Sequence, residues 1–146
     1  MAANKPARKK KYFTVAQANA SLPLMRVILR DVTALARDLQ ERHERLMRIL
    51  PSDRITIGEA HREELEQVRA EFEREQQRML EYQQELESLG VELKDYNTGL
   101  IDFLHWMDGR EVYLCWRLGE PEVLYWHDLE AGFAGRQRLM VDASHE

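Results

Sequence analysis

The chain has 146 residues, of which 44% are apolar and 32% charged, so it is charge-rich but long enough to bury the core of one domain. A formal net charge of −5 argues against a dedicated nucleic-acid binder, which needs a net basic face, and a single cysteine excludes an internal disulfide and fits the reducing cytoplasm. No apolar run approaches the roughly 20 residues of a membrane helix, and the basic N-terminus lacks the apolar segment of a signal peptide.

Met1 to Lys11 is small, polar and basic, with Lys5, Arg8, Lys9, Lys10 and Lys11 around Pro6. It carries too little apolar surface to offset its ordering entropy. It reads as a disordered, solubilising tail (residues 1–11) rather than an anion-seeking arm for RNA. Residues 12–146 read as one domain, helical over 12–89 and sheet with a structured tail over 90–139.

Tyr12, Phe13 and Thr14 open the fold. Thr14 and Gln17 have capping-box spacing, in which each side chain accepts from the other residue's amide. A short helix is expected from Val15 to Ala20. Pro23 disfavours helical geometry at Leu22, so a bend is expected there, with Ser21 capping a second helix. That helix should run to about Leu50, before Pro51. Its stripe is Met25, Ile28, Leu29, Val32, Leu35, Ala36, Leu39, Leu46, Ile49 and Leu50. His43 falls in the stripe as a seam position.

Residues 51–58 connect to a third helix, Glu59 to Leu89, which Gly90 ends as a left-handed cap. Its stripe of Leu65, Val68, Phe72, Met79, Tyr82, Leu86 and Leu89 keeps a heptad register, with Glu75 in the skipped slot. Charge favours an antiparallel, coiled-coil-like pair: residues 22–50 carry six Arg against four acids, and 59–89 carry four Arg against ten Glu. Two helices of about 45 Å bury only one seam, so a sheet or a second chain must cover them.

After Gly90 the period changes. Val91 to Leu93 and Leu100 to Phe103 flank an Asp95–Gly99 turn, and Met107-Asp108-Gly109 forms a second turn. Glu111 to Arg117 then alternates: Val112, Leu114 and Trp116 on one face, Glu111, Tyr113, Cys115 and Arg117 on the other. Leu118 to Pro121 turns the chain, and Glu122 to His127 returns beside it. The expected fold is α+β, a long antiparallel helical hairpin with a small C-terminal antiparallel sheet across one end.

The strings KYFTVAQANASLPLM (Lys11 to Met25), GVELKD (Gly90 to Asp95), TGLIDF (Thr98 to Phe103), DGREVYLCWRLGE (Asp108 to Glu120) and YWHDLEAGFAGRQ (Tyr125 to Gln137) carry a resemblance. Through them the chain resembles the bacterial and archaeal domain-of-unknown-function family 2203, over roughly Lys11 to Leu139. The resemblance implies a fold and brings no catalytic residues with it.

Three groups are candidates for chemistry. His127 with Glu130 and, on the neighbouring strand, Glu111 offers imidazole and carboxylates for zinc, iron or manganese, with Asp128 close in sequence and His105 upstream. No HExxH motif or cysteine pair accompanies them, and the competing role for His127 is a strand-end donor to a carboxylate or carbonyl. Arg136 and Arg138, among Gly132 and Gly135, form with Arg117 a candidate site for an anionic ligand. The competing arrangement has Phe133 plugging the core and Arg136 paired with Glu111 or Glu130. Cys115 reads as a small core hydrophobe before a nucleophile.

The sequence specifies no reaction, substrate or cofactor. The reading placed first is a non-enzymatic interaction or scaffold protein that self-associates as a homodimer through its hairpin, with a further protein partner open and nucleic acid and membrane set aside. The alternative is a small-ligand or metal site, possibly enzymatic, around Arg117, His127, Glu130 and Arg136.

Overall fold

The computed structural model describes residues 10–49 and 58–140. The expected 51–58 connection falls outside the described residues except for Gly58, as do residues 1–9 of the tail. Two helices, α1 (Val15–Ile49) and α2 (Glu59–Ser88), precede five strands: β1 (Val91–Asp95), β2 (Leu100–Met107), β3 (Arg110–Arg117), β4 (Tyr125–Asp128) and β5 (Gln137–Arg138). The strands form an antiparallel meander in the order β1-β2-β3-β4-β5. The fold is therefore α+β, a helical hairpin followed by a sheet.

The start of α1 follows from its cap. The Thr14 amide donates to Gln17 Oε1 and the Gln17 amide to Thr14 Oγ1, both at 3.0 Å, the reciprocal pairing that the spacing predicts. Thr14→Ala is expected to cost about 1 kcal/mol in urea denaturation. An unchanged midpoint would mean that the box contributes nothing.

The break between two helices expected at Leu22 does not occur. α1 runs unbroken through Pro23, and Ser21 does not cap a new helix but donates from Oγ to the Ala18 carbonyl at 2.7 Å. Proline there removes one helical hydrogen bond and crowds the Asn19 carbonyl. The cost is offset on the opposite side of the helix, where Ala18, Leu22, Met25 and Leu29 are all buried in the core. Tertiary burial outweighs the local preference.

α1 and α2 run antiparallel along a shared seam. Arg42 pairs with Glu71 and Glu75, the His43 ring lies 6.0 Å from Phe72, and His61 Nε2 donates to the Ile49 carbonyl at 2.7 Å, covering an end of α1. Glu75, in the skipped apolar slot, thus faces a cation from the partner helix. α2 closes as expected: Gly90 adopts φ +83°, and a Cβ there would approach Lys11 carbons to 2.8 and 2.9 Å. Both the left-handed backbone and the crossing chain require glycine.

That crossing chain is the N-terminal segment. β1 pairs with β2 only as far as Val91 opposite Phe103. Beyond it, the Phe13 amide donates to the Leu104 carbonyl and the Phe13 carbonyl accepts from His105 Nδ1, both at 2.7 Å. Lys10 Nζ reaches Glu111 at 3.1 Å, and Tyr12 Oη reaches the same carboxylate at 3.2 Å. Lys10 and Lys11, expected within the disordered tail, therefore lie against the domain.

One face of the sheet meets the helices. Val91, Ile101, Phe103, Leu114 and Trp116 join Leu22, Met25, Leu29, Val32 and Leu86 in a single core. Trp116 Nε1 donates to the Glu120 carbonyl at 3.1 Å, and the Val123 amide donates to Asn19 Oδ1 at 2.7 Å, tying the β3–β4 connection to α1. Burial along α1 stops at Ala36, so the far third of that helix extends past the sheet.

Candidate functional site

The face of the sheet turned away from the helices is where the polar chemistry collects. β2 and β3 place Asp102 opposite Cys115, and β3 and β4 place His127 opposite Tyr113. By strand alternation all four project to this outer face. Asp102 and His127 are only 2% exposed and Cys115 is fully buried. One ligand-capable atom from each of Asp102, Cys115 and His127 lies within 4.8 Å of the others.

His127 is held by both nitrogens. Nδ1 lies 2.7 Å from the Asp128 carbonyl, which can only accept, so Nδ1 carries a hydrogen. Nε2 lies 2.9 Å from Asp102 Oδ2. Burial pushes the Asp102 carboxyl above its ordinary range, and the His127 contact opposes that rise. Its second oxygen, Oδ1, is buried without a hydrogen-bond partner among the described residues. The Cys115 thiol approaches the carboxyl as a hydrogen-bond donor and favours the carboxylate, but outside the geometry that would satisfy Oδ1.

Burial also pushes the Cys115 thiol up to about 12. At neutral pH it is protonated, which removes a thiolate nucleophile from the possible chemistry of the protein alone. Tyr113 closes one side: its hydroxyl donates to Glu92 Oε2 at 2.6 Å, its ring is 5.6 Å from His127, and Lys94 Nζ sits 4.8 Å from its centroid. Burial and the Glu92 contact raise its pKa as well.

A second group lies beyond β4. The Arg136 guanidinium donates to Glu120 Oε1 at 2.7 Å and to the Cys115 carbonyl at 3.3 Å. It also stacks 4.0 Å from the Tyr125 centroid and 4.7 Å from Phe133. Arg117 flanks Phe133 at 5.2 Å and Arg138 flanks Tyr125 at 5.9 Å. The three arginines named from the sequence are thus brought around two rings. Phe133, expected to plug the core, is instead 42% exposed, with the Arg117 and Arg136 guanidinium groups against its ring. Arg136 pairs with Glu120, not with Glu111 or Glu130, because the turn after β3 carries Glu120 back over the sheet.

The suggested metal residues separate. His127 turns to Asp102 and Cys115. Glu111 binds Lys10 and Tyr12, and Glu130 is exposed after β4. Glu111 and Glu130 share only a surface depression with Trp106, Arg110, Asp128 and Leu129. Asp102 is the residue that sequence reasoning missed. Its signal was an acid set among Leu100, Ile101 and Phe103 in a strand otherwise suited to a core.

A helical hairpin on a five-strand meander, with a buried acid, thiol and imidazole on the sheet's outer face, defines a small α+β protein. The chain belongs to the family described as uncharacterized conserved protein (DUF2203), which it matches over residues 11–139, nearly its whole length. No curated protein and no solved structure matches it. Among the described residues, no helix is long and apolar enough to cross a membrane.

Proposed function

We propose that this protein is a non-enzymatic, cytoplasmic scaffold that dimerises through its helical hairpin, two hairpins forming a coiled-coil-like four-helix bundle. The observation carrying this reading is an open groove of about 430 Å³ along the hairpin where it leaves the sheet. Leu39, Phe72, Met79, Leu80 and Tyr96 supply its apolar lining, and Leu80 is 43% exposed. Charge complementarity supports a second copy as the occupant. α2 carries ten Glu against four Arg, whereas α1 carries six Arg against four acids. A two-fold arrangement alternating the helices sets each acidic helix beside a basic one.

Light scattering at micromolar concentration is expected to report twice the 17.3 kDa chain mass. Leu80→Glu should lower it to one chain mass with helicity retained. A wild-type monomer would overturn the proposal, as would a dimer indifferent to Leu80→Glu.

A further inference from the structure

We propose that Asp102, Cys115 and His127 form a binding site for one zinc ion that locks β2, β3 and β4 together. The site goes beyond self-association and does not depend on it.

The geometry begins with the histidine tautomer. Because Nδ1 is committed to the Asp128 carbonyl, the neutral ring presents a lone pair at Nε2. That lone pair faces a carboxylate oxygen at 2.9 Å. Two acceptors cannot approach so closely without a positive centre between them, a proton in the metal-free protein or a cation in its place. A ring hydrogen donated to a backbone carbonyl is also the usual support of a metal-ligating histidine, since it orients the ring and raises the basicity of the other nitrogen.

Two further donors join the imidazole nitrogen, giving three protein ligands. Asp102 Oδ1 is buried and unpartnered among the described residues, so the carboxylate has a second oxygen to offer. The Cys115 sulfur lies within the same 4.8 Å group. Imidazole nitrogen, thiolate sulfur and carboxylate oxygen are all within the ligand repertoire of zinc. Bonds of about 2.0–2.3 Å set ligand atoms roughly 3.3–3.8 Å apart around a tetrahedral ion, so the Nε2–Oδ2 pair opens and the longest edge contracts.

Charge decides in favour of a divalent ion. One carboxylate and one thiolate neutralise the two positive charges, leaving a buried site with no net charge. Binding releases two protons, one shared by Asp102 and His127 and one from the Cys115 thiol, as two metal–ligand bonds replace those to hydrogen. With exposures of 0–2%, no substrate reaches the ion, so its role is to hold the sheet.

The test uses untagged, full-length protein freed of metal with a chelator and titrated with zinc and then cobalt. One equivalent of zinc is expected to bind, releasing about two protons. Cobalt should give a thiolate-to-metal charge-transfer band, which in a chain with one cysteine can only come from Cys115. Cys115→Ala, whose fold is checked by circular dichroism, should abolish the band and weaken zinc binding at least about 100-fold. Absence of the band in the wild type would overturn the proposal whether or not the variant folds. So would zinc binding of unchanged affinity in Cys115→Ala, which would place the ion elsewhere.

Discussion

Replacing Asp102 with alanine in metal-free protein is expected to cost roughly 3 kcal/mol, from a buried acceptor left unpaired and the cavity beside it. His127 Nε2 loses its hydrogen-bond partner, a cavity opens between strands, and a buried ring nitrogen is left unpaired among the described residues. Asp102→Asn should be far milder, about 1 kcal/mol, because the amide can donate to the Nε2 lone pair while filling the same space. Burial also predicts a pH signature. The carboxyl is raised from an ordinary value near 3.8, so above that pH the folded chain keeps a proton that the unfolded chain has lost. Stability from this group falls as the pH rises from about 3.8 through the raised native value, and is level outside that window. Urea denaturation across mildly acidic pH should show this fall in the wild type and a flatter profile in Asp102→Asn. Identical profiles would mean that folding does not raise the Asp102 carboxyl.

The features that depend on neighbours in sequence were legible before the structure was in hand. The Thr14–Gln17 box, the stop at Gly90 and the alternation through β3 each involve residues a few positions apart, and each forms as expected. Pro23 shows where local reasoning fails. Its preference is real, but four buried apolar side chains on the other side of one helix outweigh it. The polar cluster was illegible for a different reason. Asp102 and His127 are 25 positions apart, and only the register of β2 on β3 and β3 on β4 brings them together. Their alternation was readable strand by strand, but no sequence pattern states the register between strands that meet through two turns. The same holds for Phe133 and Arg117, which the return of the chain through β4 brings together, whereas Arg136 follows Phe133 closely in sequence.

Arg136 provides the remaining large effect and separates a structural network from a binding site. Its side chain is about 10% exposed and that of Glu120 about 15%, so the pair lies mostly outside the solvent that weakens surface ion pairs. Glu120 Oε1 accepts from both the Arg136 guanidinium and the Arg117 amide, each at 2.7 Å. Arg136→Ala would leave that carboxylate buried with half its compensation and uncover the faces of Tyr125 and Phe133. A loss of roughly 3 kcal/mol is expected in chemical denaturation. Arg136→Lys should recover only part of it, because an ammonium cannot donate to Glu120 and the Cys115 carbonyl while lying flat on Tyr125. A double-mutant cycle between Arg136→Ala and Glu120→Ala should return a coupling of about 1.5–3 kcal/mol, the range for a hydrogen bond between charged groups. A guanidinium kept to bind an anion behaves in the opposite way, since it is repelled by its cationic neighbours Arg117 and Arg138 when empty. In that case Arg136→Ala would be neutral or stabilising, and phosphate would raise the wild-type midpoint but not the variant's. The contact with Glu120 already neutralises Arg136, so the expected outcome is destabilisation with no response to phosphate.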